Sequence, residues 1–159
     1  MTRTSRFALT SSAVGLTALA GSAGTDVGSP WYRRLDKPSW QPPGPVFGVA
    51  WTSLYVLLAL ASGRALDHAE EFPRRRPAYV PAFLVNLLLN AGWTWVFFRA
   101  RRPSLAVAES ALLTVSTVDL ARRAWQRDHL AGATLLPYAG WTAFATALST
   151  EIARRNPGS

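Results

Sequence analysis

The sequence lacks several residue types on which common catalytic and metal sites depend. It contains no cysteine, which excludes disulfides, thiolate metal sites and a thiol nucleophile. Its two histidines, His68 and His129, lie in charged connecting segments, so the sequence predicts neither an interior metal cluster nor a Ser–His–Asp triad. The single lysine, Lys37, lies outside the long apolar runs, which excludes a buried Schiff-base lysine. We therefore predict no bound metal and no required cofactor.

Charge is also scarce, and its distribution is more informative than its amount. Charged residues make up 16% of the 159-residue chain and gather into short clusters between long uncharged runs. A soluble helix would instead carry a charge on its wet face every turn or two. The runs approach the ~20 residues that span a bilayer, and lone strands cannot satisfy their backbone groups in lipid. We predict an all-α integral membrane protein that forms a single domain over residues 1–159. The domain is a bundle of five transmembrane helices. Their predicted spans are residues 7–25, 46–66, 78–98, 103–121 and 130–152.

The first run, residues 7–25, has two interpretations. Arg3 and Arg6 precede it, and Ala18-Leu19-Ala20 resembles a signal-peptidase site, which is typical of a cleaved secretion signal. Against cleavage, small residues recur at four-residue spacing, a pattern that suits close helix packing within a membrane. These small residues are Ala13, Thr17 and Gly21, and Ala20 and Gly24. The residues alone favour a retained helix but leave cleavage open.

The segment 28–45 differs from the other connections because it is long, aromatic and rich in proline. Proline removes a backbone donor and restricts the residue before it, so this density of proline argues against a regular helix. The segment also carries Trp31, Tyr32 and Trp40, which supply apolar surface for docking. We predict a folded loop that acts as a lid rather than a disordered linker.

Seven tryptophans in a chain of this size require an explanation. Trp31, Trp40 and Trp125 fit the aromatic belt that forms at head-group depth. The other four lie several residues inside the predicted spans, where that explanation is weaker: Trp51, Trp93, Trp95 and Trp141.

Helical spacing groups the interior aromatic residues into three faces. The faces are Phe47, Trp51, Tyr55 and Leu58; Asn86, Asn90, Trp93 and Phe97; and Pro137, Trp141, Ala145 and Leu148. Such stripes more often serve helix packing than ligand binding. The two asparagines favour a pocket, because a buried amide needs a partner in a neighbouring helix, a backbone or a ligand.

The net charge of +8 comes almost entirely from arginine. The arginines flank the apolar runs and do not form one stripe, so we predict contact with lipid head groups and no nucleic-acid partner. Five alternating spans would place nine basic residues on one side and eight on the other. This balance predicts no orientation under the positive-inside rule.

Three blocks of uncommon residues occur in an order and spacing that match a known family. The first block is Trp31-Tyr32-Arg33-Arg34-Leu35-Asp36-Lys37-Pro38-Ser39-Trp40-Gln41-Pro42-Pro43, followed by Phe47, Trp51 and Leu54-Tyr55. The second is Leu89-Asn90-Ala91-Gly92-Trp93 with Phe97-Phe98 and Arg101-Arg102-Pro103. The third is Leu136-Pro137-Tyr138 with Trp141, Phe144-Ala145-Thr146 and Leu148. Together they resemble the translocator protein family (TspO/MBR), also called tryptophan-rich sensory proteins or peripheral-type benzodiazepine receptors.

The resemblance implies a bacterial member with five helices, the first one retained, and a pocket under the 28–45 lid. Family ligands are porphyrins and haem, benzodiazepine-type drugs and, in mitochondrial members, cholesterol-like sterols. The predicted ligand-binding residues are Tyr32, Trp40, Phe47, Trp51, Tyr55, Asn90, Trp93, Trp141, Phe144, Ala145 and Leu148. The predicted partners of the porphyrin propionates are Arg33, Arg34 and Lys37. Ser149 and Thr150 replace the Asn and Tyr of a sterol motif, which argues against sterol binding.

Two functions follow from this resemblance and remain open. One is a membrane receptor or sensor that binds porphyrin and takes part in its transport or regulation. The other is an enzyme that degrades porphyrin with light and oxygen, in which Trp51 and Trp141 take part in the photo-oxidation. A bundle whose aromatic stripes serve packing alone is a third interpretation. The family also suggests a homodimer, and the Arg and Ala content suggests a high-GC bacterium and hence its plasma membrane.

Overall fold

The computed structural model describes residues 2–67 and 79–158, and every regular element in these ranges is helical. The long helices are α1 (Arg3–Gly24), α3 (Gly44–Asp67), α4 (Tyr79–Thr94), α5 (Pro103–Trp125) and α7 (Leu136–Arg155). Two short helices, α2 (Pro30–Arg34) and α6 (His129–Thr134), lie between them, and a π-helical turn, Trp95–Arg99, extends α4. The all-α prediction is confirmed over these ranges. His68 and residue 78, where the third predicted span begins, lie outside the described residues.

Four of these helices are long and apolar enough to cross a membrane: α1, α3, α4 with its π-helical turn, and α5. Their bounds agree with the predicted spans to within a few residues. Helix α7 does not belong to this group, because polar residues interrupt its apolar sequence. They are Thr142, Thr146, Ser149, Thr150 and Glu151. The count of five transmembrane helices therefore stays a prediction.

The fifth predicted span, residues 130–152, is divided into α6 and α7, so the prediction of one continuous helix there is wrong. Asp128 caps α6 by accepting a hydrogen bond from the Ala131 N–H at 2.7 Å, and the helix ends before Leu135. Pro137 then lies in the first turn of α7. Proline has no N–H to donate to the preceding turn, which explains why the two helices do not merge.

The lid also differs from its prediction, because Pro30–Arg34 forms a short helix. Ser29 caps this helix through a hydrogen bond from the Tyr32 N–H to its hydroxyl at 3.2 Å. Pro30 occupies the first turn, where a missing N–H costs nothing. The argument from proline density holds for residues 38–43, which precede α3, but it is wrong for this single turn and for Pro45, which lies in the first turn of α3.

The helices pack so that α5 lies against α4 and α7, while α1 lies against α3 and α4. Helices α3 and α7 touch over only a short stretch, which leaves space between them toward the lid. One apolar cluster is centred on Leu58, Tyr79 and Tyr138, and a second surrounds Phe97 and Phe98 beneath the lid.

The end of the bundle farthest from the lid, here called the closed end, contains the start of α1, the end of α3 and the start of α4. Arg6 is 5% exposed, and its Nη1 lies 2.8 Å from Oδ1 of Asp67. The Thr10 hydroxyl donates to the Ala59 carbonyl at 3.1 Å. Gly63 lies directly against the Phe7 ring, so a side chain at this position would collide with it. These contacts join α1 tightly to α3.

Candidate functional site

A cavity of about 980 Å³ lies beneath the lid, between α1, α3, α4, α5 and α7. Nine of the eleven predicted ligand-binding residues line it: Tyr32, Phe47, Trp51, Tyr55, Asn90, Trp93, Trp141, Ala145 and Leu148. Its volume is at the upper end of the roughly 300–1,000 Å³ that is typical of small-molecule pockets. The structure thus brings these residues around one space, while their binding of a ligand stays a prediction.

The cavity wall on α3 and α7 is a set of aromatic rings in contact with one another. Trp51 and Trp141 meet edge to face, with ring centroids 6.4 Å apart and planes at 87°. Phe47 meets Trp141 at 5.7 Å, and Tyr55 lies beside Trp51 at 5.6 Å. Positions 47, 51 and 55 share one helical face because they are four residues apart. Aromatic pairs with this geometry attract one another, which stabilises the orientation of each ring in the cavity wall.

The deepest part of the cavity is anchored by a continuous chain of hydrogen bonds. The Tyr55 hydroxyl donates to Asn90 Oδ1 at 2.7 Å, and Asn90 Nδ2 donates to the Tyr138 hydroxyl at 2.8 Å. Tyr138 donates to Asn86 Oδ1 at 3.0 Å, and Asn86 Nδ2 donates to the Thr117 hydroxyl at 2.9 Å. The chain therefore joins α3, α4, α7 and α5. Both asparagines find their partners in neighbouring helices, which is one of the alternatives predicted for them.

Two buried indole groups beside the cavity have no hydrogen-bond acceptor among the described residues. They are the Nε1 atoms of Trp93 and Trp141. Buried donors in proteins almost always have a partner. Trp93 stacks on Phe97 at 5.3 Å, and Trp141 packs against Phe144 at 5.3 Å. Both N–H groups are therefore candidates for a hydrogen bond to a bound ligand.

The other two predicted ligand-binding residues, Trp40 and Phe144, pack against each other outside the cavity lining. Their ring centroids are 5.9 Å apart, and Trp40 remains 47% exposed. Because Phe144 also contacts Trp141, the pair supports the wall from behind.

The three basic residues of the lid point in different directions. Lys37 lines the cavity, with its Nζ 4.4 Å from the centre of the Tyr32 ring and donating to the Tyr32 carbonyl at 2.6 Å. Arg33 donates through Nη2 to the Gly28 carbonyl at 2.6 Å, and it is not part of the cavity lining. Arg34 lines a separate, smaller pocket on the outer side of the lid. Only Lys37 is therefore positioned beside the cavity.

Sequence reasoning missed the contribution of α1 to this cavity. Ala18, Gly21, Ser22 and Thr25 line it together with Gly48 of α3. The repeat of small residues along α1 is the available signal, but by itself this pattern predicts helix packing and not a cavity wall. Small side chains serve both purposes, since they permit close contact at the closed end and leave room near the lid.

The chain matches a family model described as the TspO/MBR family over residues 7–155. Protein CrtK of Rhodobacter capsulatus is 34% identical over 143 residues, which cover 89% of this chain and 88% of the relative. The tryptophan-rich sensory protein of Cereibacter sphaeroides is 36% identical over 126 residues, covering 79% and 77%. The human translocator protein is 32% identical over 154 residues, covering 92% and 90%.

Proposed function

This chain belongs to the TspO/MBR family of membrane proteins, and we propose that it is a receptor or sensor for porphyrins such as protoporphyrin IX and haem. One observation carries the proposal. The cavity of about 980 Å³ is walled by Trp51, Trp93 and Trp141, which suit a large flat ligand. Indole rings stack on a tetrapyrrole or meet its edge, with about 0.5–1.5 kcal/mol per pair beyond area burial.

Lys37 is the proposed partner of the ligand's propionates. Its ammonium has three donors, and the Tyr32 and Leu35 carbonyls lie within reach of it at 2.6 and 3.3 Å. One donor thus remains for a carboxylate at the lid end of the cavity. The proposal differs here from the sequence prediction, because it leaves out Arg33 and Arg34.

We also propose that α7 is the fifth transmembrane helix. Its 20 residues correspond to about 30 Å, the thickness of the hydrocarbon core. Its polar residues have partners inside the bundle: Thr146 bonds to Thr114 at 3.0 Å, and Thr142 is fully buried. Glu151 lies near the helix end with Arg155. We propose further that the protein is a homodimer and lies in a bacterial plasma membrane.

The names of the relatives support a role in sensing or transport. One relative is called a tryptophan-rich sensory protein and another a translocator protein. A cavity that binds porphyrin reversibly serves either role, with the lid controlling entry.

Titration of the purified protein with protoporphyrin IX tests the proposal. We expect saturable quenching of tryptophan fluorescence with one porphyrin per chain. Replacing Trp51 and Trp141 by leucine should weaken binding about tenfold or more, since two aromatic contacts are lost. Trp125→Leu is the matched control, because Trp125 stacks on His129 at 4.6 Å and is not part of the cavity lining. Equal binding by all these variants would refute the proposal.

A second titration tests Lys37. In Lys37→Met the Kd for protoporphyrin IX should rise about three- to tenfold, while the Kd for etioporphyrin, which has no carboxylates, should stay constant. Arg33→Gln serves as the control within the lid. A loss of affinity for both porphyrins alike would exclude a propionate role for Lys37.

Light-dependent degradation is the second candidate function, because Trp51 and Trp141 are in contact and both line the cavity. An illuminated porphyrin bound there would expose two oxidisable indoles to the oxygen species that it generates. The test is the loss of Soret absorbance under light and air, in the wild type and in a Trp51→Phe/Trp141→Phe variant. Loss at the rate of free porphyrin in both proteins would exclude the enzyme.

A further inference from the structure

A second pocket, of about 340 Å³, lies on the outer side of the lid. Its lining comes from α2, from the connection between α4 and α5, and from the end of α7: Pro30, Trp31, Arg34, Leu35, Arg101 and Asn156. None of these residues lines the large cavity. The pocket is therefore a separate site, and its volume is far smaller than that of the cavity.

The inner wall of this pocket is apolar and fixed in place. Leu35 is 7% exposed and packs with Phe97 and Phe98, while the Trp31 ring meets Phe97 edge to face at 5.6 Å. On the opposite side, Asn156 bonds to the backbone of Asp36 twice, at 2.9 Å in each case. The pocket is therefore framed by three separate segments that contact one another.

The two arginines of the pocket have no acidic partner within the part of the chain that the structure describes. Their neighbours at the same end differ, since Arg99 lies near Asp26, and Arg154 and Arg155 pair with Glu151. Arg34 and Arg101 thus bring two uncompensated guanidinium groups to one small pocket. Such groups bind phosphate in bidentate fashion.

Arg101 is also the one non-glycine residue with a positive φ, 55°, among the described residues. In this left-handed region a side chain costs energy that glycine would avoid. The turn that contains it is closed by a hydrogen bond from the Arg102 N–H to the Val96 carbonyl at 3.2 Å. From this turn the Arg101 side chain lines the pocket.

We propose that this pocket binds the phosphate head group of an anionic membrane phospholipid. The pocket lies at the end of the spanning helices, where head groups are found, and Trp31 has the position of an interfacial tryptophan. The guanidinium groups of Arg34 and Arg101 bind the phosphate, and Trp31, Pro30 and Leu35 contact the glycerol and the first methylenes of the acyl chains. Basic pockets between transmembrane helices recognise lipids in this way.

Native mass spectrometry of the full-length protein, titrated with phosphatidylglycerol or phosphatidylcholine, tests the site. The wild type should bind the first phosphatidylglycerol about tenfold more tightly than phosphatidylcholine. Arg34→Gln/Arg101→Gln should abolish this preference. Arg102→Gln/Arg154→Gln removes the same charge at the same end and should change the affinity less than twofold. Equal losses in the two double variants would overturn the proposal, because they would indicate general surface charge.

Two further arms complete the test. Arg34→Lys/Arg101→Lys keeps the charge but removes the bidentate geometry, so an affinity loss of about threefold is expected, with helical content by circular dichroism unchanged. No loss in this variant would overturn bidentate recognition. Competition with inorganic phosphate and with glycerophosphoglycerol distinguishes a lipid from a soluble phosphate. Displacement of phosphatidylglycerol by either compound at equal concentration would overturn the lipid assignment.

Discussion

The two ends of the bundle are built in contrasting ways. At the closed end, helices touch directly, Gly63 admits the Phe7 ring, and a buried Arg6 pairs with Asp67. At the lid end the same helices separate around a cavity, and aromatic rings with a short lid replace direct contact. From this difference we expect stability to depend mainly on the closed end, and the proposed binding to depend on the lid end. Changes at one end should leave the property of the other end intact.

The largest effect is expected from Asp67→Asn at the closed end. The substitution removes the negative charge that lies 2.8 Å from the Arg6 guanidinium, whose side chain is 6% exposed. Breaking a buried pair in this way should lower the free energy of unfolding by about 3 kcal/mol. Asp119→Asn is the control, because among the described residues Asp119 pairs with the exposed Arg122 and the partly exposed Arg123, and it should cost less than about 1 kcal/mol. Denaturation of the purified protein measures the free energy of unfolding of both variants. We expect the Kd for porphyrin to be unchanged in both.

A smaller effect is expected from Gly63→Leu. A Cβ at this position would lie 2.6 Å from Cδ1 of Phe7, so the Phe7 ring must leave its place between α1 and α3 or the helices must separate. Overpacking of this kind should destabilise the protein by about 2 kcal/mol. Gly15→Leu is the matched control on α1, since nothing lies within 4 Å of a Cβ there. If both leucine variants unfold at the same temperature, the closed end is not tightly packed.

The smallest effect on stability is expected at the lid end, from Asn156→Ala. The change removes two hydrogen bonds to the Asp36 backbone, at a cost of about 1 kcal/mol. Its main result should be kinetic, because the lid loses one of its attachments to α7, while the Trp40–Phe144 contact remains. We expect porphyrin to dissociate about fivefold faster, as stopped-flow fluorescence would measure. Arg154→Ala, at the same end, should leave the rate unchanged. A large loss of stability without a change in rate would contradict the division between the ends.

The sequence predicted four helices to within a few residues, because long uncharged runs have few alternatives in a membrane protein. Most of the residues that it predicted for a pocket line the cavity, since Trp51, Tyr55 and Trp141 fall on the inner faces of regular helices, while their binding of a ligand stays a prediction. The prediction from helical spacing failed where the regular helical repeat is interrupted. The break before Pro137 and the turn after Pro30 each rotate the residues that follow, so the direction of Arg34 could not be read from spacing.

Trp40 and Phe144 illustrate another limit of the sequence. Both carry the apolar surface that a ligand-binding wall needs, yet they pack against each other behind it. Which of several aromatic residues faces a cavity depends on the path of the lid, and that path is set by contacts between distant segments such as Asp36 and Asn156. No local pattern contains this information.

The hydrogen-bond chain below the cavity gives the cavity floor a defined electrostatic polarity. Every link from Tyr55 to Thr117 donates the same way, and Thr117 in turn donates to the Leu113 carbonyl at 2.8 Å, a bond that the reverse arrangement would lose. The aligned dipoles reinforce one another and leave their negative end, the Tyr55 oxygen, at the cavity floor. A carboxylate placed there would meet lone pairs. The cavity floor thus repels a carboxylate, and we expect an acidic ligand to bind with its acid groups toward Lys37.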